Sequence, residues 1–127
     1  MSAWLSSLDV VTLFVSDVQR TKSFYEKVFG LSAIFQNENS IVFNLDNASL
    51  NFLQRDAAPG LVSPANVASP DAGLSFQFTI RVDNVDEACA ELARRDVTLV
   101  NGPIDRPWGV RTASFSDPDG YLWEIAQ

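Results

Sequence analysis

The chain has 127 residues, 46% of them hydrophobic and 20% charged, which is the balance of an ordinary globular protein and excludes a disordered or membrane-embedded class. Its 9 basic residues are scattered among 16 acidic ones for a net charge of −7, so phosphate backbones are repelled and no nucleic-acid partner is expected. A lone Cys89 permits no internal disulfide, no run approaches a membrane span, and the first residues lack a basic secretory n-region, so the expectation is a cytoplasmic protein with no membrane partner.

Leu8 to Val15 is a short apolar, β-branched and aromatic run ended by Ser16-Asp17, which predicts a strand. Asp17 can accept bonds from the free amides of a following helix that runs to about Phe29. Val18, Phe24, Val28 and Tyr25 mark its apolar stripe, and Gly30 supplies a left-handed stop. Strands are then predicted over Leu31 to Gln36, Ser40 to Leu45 and Ser49 to Leu53, separated by Asn-Glu-Asn and Asp-Asn-Ala turns. Arg55 to Gly73 is rich in Pro, Gly, Ser and Ala without periodicity and reads as a linker.

In Leu74 to Val82, Phe76, Phe78, Ile80 and Val82 alternate with Ser75, Gln77, Thr79 and Arg81, the pattern of a half-buried strand. Asp83-Asn84 then caps a helix to about Arg95. Strands follow near Val97 to Val100, Val110 to Ser116 and Tyr121 to Ala126.

The order of the first half has recurred. Phe14 to Val18 aligns with Arg81 to Val85, and one such long period in two copies means duplication, not a solenoid. Hairpin-length loops imply antiparallel neighbours. The predicted fold is α+β: two tandem βαβββ modules with pseudo-twofold symmetry, forming one domain over 1–127 (module one 8–54, linker 55–73, module two 74–127). Their mixed, mainly antiparallel sheets would curve around a ligand cleft.

Two segments carry a family likeness: VSDVQRTKSFYEKVFGL (Val15 to Leu31) and RPWGVRTASFSDPDGYLWEI (Arg106 to Ile125). Both resemble signatures of the vicinal oxygen chelate superfamily, which includes glyoxalases, bleomycin resistance proteins and extradiol dioxygenases. The Asp117-Pro118-Asp119-Gly120 stretch also has a local reading, because Pro118 fixes φ and Gly120 tolerates the left-handed region of a tight turn.

The resemblance implies a metal-ligand position on the first and fourth strand of each module, commonly His or Glu. Those positions fall on Val10, Asn51, Gln77 and Glu124. The chain has no histidine, Val10 has no donor atom, and one carboxylate with two amides is a poor trap for a divalent ion. No metal and no other cofactor is therefore expected. Strand parity sends Val10, Thr12 and Phe14 to the side away from the helix, together with Leu122, Glu124 and Ala126; Trp123 goes beneath a helix.

Glu124 is then the one candidate catalytic group, a general base or a cation anchor, or else a hydrogen-bonded relic of an ancestral site. Trp108, in the Asp105 to Gly109 loop, either closes a pocket mouth or caps the sheet end. Arg106 and Arg111 are ligand anchors or surface ion pairs. No nucleophile–base pair and no phosphate-cradling loop is evident.

The expected ligand-binding set is Val10, Thr12, Phe14, Asn51, Gln77, Trp108 and Glu124. The function it suggests is metal-independent binding of a small organic ligand, cationic or aromatic, in the manner of antibiotic sequestration or carriage. The alternative is a glyoxalase-like lyase, isomerase or transferase that uses Glu124 with a weakly bound divalent ion. The resemblance further implies a homodimer.

Overall fold

The computed structural model describes residues 3–127. The chain divides into two compact units, Met1–Ala68 and Ser69–Gln127, and the boundary falls inside the segment expected as a linker.

In the first unit, β1 (Val10–Val15) leads into α1 (Val18–Phe24), which continues as a π-helical turn over Tyr25–Phe29. Asp17 starts α1: its carboxylate accepts from the backbone N–H groups of Gln19 and Arg20, two of the donors a helix start leaves unpaired. Gly30 ends it at φ 71°. Three strands follow, β2 (Ala33–Gln36), β3 (Ser40–Asn44) and β4 (Ser49–Gln54). The sheet order is β1-β4-β3-β2, with β1 parallel to β4 and the other pairs antiparallel.

Alternation on the strands buries one face under α1. Leu13, Val15, Ile41, Phe43, Leu50 and Phe52 are buried with Val18, Tyr25 and Val28 of the helix. Tyr25 is the hub, its ring 4.6 Å from that of Phe52 and 5.9 Å from that of Phe43. Buried aromatic rings of this kind supply much of a small core's apolar area.

The segment predicted as an irregular linker holds more structure than its composition announces. A 3-10 turn spans Arg55–Ala57, and α2 covers Pro59–Val62 with proline in its first turn, where a missing N–H costs nothing. Arg55 ties the segment down: its guanidinium donates to the carbonyls of Ala68 at 2.8 Å and Phe14 at 3.2 Å.

The second unit repeats the plan with β5 (Gln77–Arg81), α3 (Val85–Arg94), β6 (Asn101–Asp105), β7 (Arg111–Ser116) and β8 (Leu122–Ala126). Its sheet order is β5-β8-β7-β6, again with the first and last strands parallel. Asn84 caps α3 through Glu87 N–H. Trp123 is 1% exposed and stacks on Phe78 at 4.5 Å; Phe115, Ile125, Val85 and Leu92 of the same unit are also buried. Both units are thus α+β, as the duplicated order requires.

One strand lies elsewhere than predicted. Val97 to Val100 is not a strand; β6 is Asn101–Asp105. The Val97 N–H is used by the Leu92 carbonyl to close α3, and pairing with β7 begins where Val100 N–H meets the Ser114 carbonyl at 2.7 Å. The ladder then runs through Gly102-Pro103, residues that argue against a strand except at an irregular edge, and the register does shift between Asn101 and Ile104. Gly102 is required there: at φ +87° a Cβ would stand 2.5 Å from the Thr112 carbonyl oxygen. Among the described residues no helix is long and apolar enough to cross a membrane.

Candidate ligand-binding site

Each sheet has a face that its own helix does not cover. Residues directly opposed on neighbouring strands share a face, so the register places the predicted residues without further assumption. In the first unit Val10, Thr12 and Phe14 stand opposite Ser49, Asn51 and Leu53 on this open face. In the second, Gln77, Thr79 and Arg81 stand opposite Leu122, Glu124 and Ala126.

The two units carry the same device at matching places. Asn51 donates from its amide nitrogen to Thr12 Oγ1 at 3.4 Å, and Thr79 donates its hydroxyl to Glu124 Oε1 at 3.0 Å. Each pair sits on the first and fourth strands of its sheet, which run parallel. Extended across the sheets, the rungs differ. In the first unit Asn51 opposes Val42, which opposes Phe35. In the second, Glu124 opposes Ser114, which opposes Asn101.

Thr79 and Ser114 complete a polar rung that a search for metal ligands passes over, since neither is a ligand type. The parity of Ala113-Ser114-Phe115 sets only the face of the serine; the register is what puts it opposite Glu124. Ser114 is 3% exposed, and its Oγ has no hydrogen-bond partner.

The structure does not bring every predicted residue into such pairs. Trp108 stands in the loop after β6, 71% exposed, with the Arg106 guanidinium 6.0 Å from its ring centroid. Arg106 also donates through Nε to Thr112 Oγ1 at 2.9 Å. A depression of about 480 Å³ at the base of this loop is lined by Asp105, Arg106, Gly109, Val110, Arg111 and Gln127. The charge of Arg111 is spent there, because it bridges Asp86 at 2.9 Å and Asp105 at 3.0 Å. Those hydrogen bonds hold the Asp86 carboxyl below the usual carboxylate range and push Arg111 up.

Cys89 offers no nucleophile. Burial, seconded by the charge of Asp86, pushes its thiol up, whereas a reactive cysteine needs the opposite shift.

The divalent metal that the fold family implies does not fit the residues present. Val10 is aliphatic, Asn51 and Gln77 are amides, and Glu124 already accepts a hydrogen bond from Thr79. Among the described residues no group of three or more His, Cys, Asp and Glu side chains could hold a metal ion. The usual donors of transition-metal sites are imidazole, thiolate and carboxylate, and a single carboxylate with carboxamides is not that set.

Comparison with known proteins agrees with this scaffold. The family model for the glyoxalase/bleomycin resistance protein/dioxygenase superfamily matches residues 7–125. A virulence protein of Salmonella typhimurium is 27% identical over 97% of this chain and 85% of its own. A lactoylglutathione lyase from the same organism is 29% identical over 91% of this chain and 87% of its own. Among solved structures, an antibiotic-binding protein, TnmS3 from Streptomyces sp. CB03234, superposes with a TM-score of 0.71 at 25% identity, covering 99% of this chain and 98% of that one. With the family model spanning nearly the whole sequence and the βαβββ order present twice, the chain belongs to the glyoxalase/bleomycin resistance protein/dioxygenase superfamily.

Proposed function

We propose that this protein binds a small organic molecule on an open strand face without a metal ion, in the manner of a sequestering or carrier protein. The observation that carries this reading is the set of side chains at the four first- and fourth-strand positions: Val10, Asn51, Gln77 and Glu124. Such a set offers hydrogen bonds and apolar surface in place of chelation. Thr12 and Phe14 border Val10 and Asn51 on the first unit's face. The similarity to an antibiotic-binding protein supports the same reading.

Protein purified without chelator is expected to carry no stoichiometric Zn²⁺, Ni²⁺, Mn²⁺ or Fe²⁺ in elemental analysis. In a thermal-shift screen, organic compounds and not divalent ions should raise the melting temperature. A ligand at a hundredfold excess over its Kd stabilises by about 2.7 kcal/mol, a readily measured shift. Glu124→Gln should weaken the response to the compounds that wild type binds. One equivalent of tightly held metal overturns the proposal.

A second reading has its own support in the 29% identity to lactoylglutathione lyases. In it Glu124 acts as a general base on an acidic C–H bond, its carboxylate aimed by Thr79. Cleavage of lactoylglutathione that disappears in Glu124→Gln would favour it over simple binding. The homodimer that the family resemblance implies is part of the proposal, to be checked by light scattering of the eluted protein.

A further inference from the structure

The strongest unexplained feature of the second unit is the Ser114 hydroxyl. It is 3% exposed, its Oγ has no hydrogen-bond partner, and it lies on β7 directly opposite Glu124. A buried hydroxyl left without a partner is destabilising, because it has given up its bonds to water. The fold does not ask for that cost: the matching place in the first unit, opposite Asn51, is Val42, a β-branched residue that strands favour. A polar atom kept unpaired where the duplicate manages with an apolar one points to a partner from outside the chain.

The chemistry of that partner follows from what the rung presents. Thr79 gives its proton to Glu124 Oε1, which leaves lone pairs on the threonine oxygen. Glu124 as a carboxylate only accepts, and Ser114 can accept as well. Three residues with acceptor oxygens therefore stand in one rung across β5, β8 and β7, and one of them is a carboxylate. Arg81 shares the face, one pleat beyond Thr79, and makes no ion pair with Glu124.

We infer that the Thr79–Glu124–Ser114 rung is a subsite for a primary ammonium group of the ligand, with Ser114 as a specificity-determining residue. An ammonium carries three N–H donors and a positive charge, so it can satisfy Glu124 and the orphan hydroxyl together. A neutral hydroxyl has one donor and no charge, and a carboxylate is repelled. The inference rests on the metal-independent binding reading above and adds the head group to it.

The test uses the whole chain and three aromatic probes matched in size: phenethylammonium, 2-phenylethanol and 3-phenylpropionate. Binding is followed by amide chemical-shift changes and calorimetry in wild type, Ser114→Ala and Glu124→Gln. Phenethylammonium should bind in preference to the other two, with shifts on β7 and β8. Ser114→Ala should weaken it about tenfold, the worth of one hydrogen bond to a charged group, while leaving the melting temperature unchanged or higher because an unsatisfied group has gone.

A drop in stability in Ser114→Ala would make the hydroxyl structural and overturn the inference. So would equal ammonium affinity in Ser114→Ala and wild type. Preference for the alcohol or the carboxylate, with no metal bound, would overturn the ammonium subsite and leave organic-ligand binding standing. Stoichiometric metal in the purified protein would remove both. The absence of any probe binding overturns the subsite alone.

Discussion

Arg111 organises the charged residues at one end of the second sheet. It meets Asp86 at the start of α3 and Asp105 at the end of β6, so a helix start and a strand end share one cation. Because the Asp86 carboxyl is held below its ordinary value, the pair stabilises the fold at pH values above the unfolded carboxylate range, and that contribution is lost as pH falls through the folded value. Asp86→Asn should thus lower the melting temperature at neutral pH, and the gap from wild type should close on acidification. A gap that stays constant from neutral to acid pH would contradict this. Glu91 is likewise lowered, by hydrogen bonds from Arg94 and Arg95. The hydrogen bonds that build these two clusters run between other residues than Thr79 and Glu124. The positions at which the family resemblance implies ligands are counted from the Asp17 and Asp83 region of the sequence. Ser114 is not found that way, since a serine announces nothing until its strand partner is known.

At the scale of elements, the duplication reaches into a detail that no motif displays. The Gln54 side chain at the end of β4 accepts from the N–H of Val18, and the Gln127 side chain just past β8 accepts from the N–H of Val85. In each unit the last strand thereby caps the helix that follows the first strand, with a 2.7 Å and a 2.6 Å bond respectively. These bonds satisfy first-turn donors that the Asp17 and Asn84 side chains do not reach. Gln54→Ala and Gln127→Ala should each cost about 1 kcal/mol in chemical denaturation, and the double variant should show the sum. The helix stops differ between copies: Gly30 takes the left-handed conformation in the first, and Asp96, at φ 64°, in the second. Aspartate tolerates that region because its side chain bonds locally. The displaced β6 belongs to this scale too, since apolar content favours Val97 to Val100 whereas helix closure claims the Val97 N–H and pairing with β7 starts only at Val100.

For the whole chain, a net charge of −7 sets a field that concentrates cations and disfavours anions. If the ligand's head group is an ammonium, its affinity should fall as salt is raised from about 0.01 M to 1 M, where the Debye length shrinks from about 30 Å to about 3 Å. Calorimetry of phenethylammonium across that range measures it; an affinity independent of salt would mean that only the local rung matters. The two units hold separate cores, one centred on Tyr25 and one on Trp123. The join between them falls at Ala68 and Ser69, within the stretch whose composition reads as a linker. The short helices of that stretch escaped prediction because a turn of three or four residues is below the length at which periodicity exists.

The sequence by itself determined the duplicated strand–helix–strand order, the caps at Asp17 and Asn84, the faces of β1, β5 and β8, and the absence of histidine. All of these follow from local pattern or composition: a period of two for strands, short polar residues at helix starts, and a count of residue types. Tertiary structure alone decided which residues meet across strands. Thr79 with Glu124, Thr12 with Asn51, Gln54 with Val18 and the unpaired Ser114 all depend on register, and register is set by the packing of whole sheets against their helices.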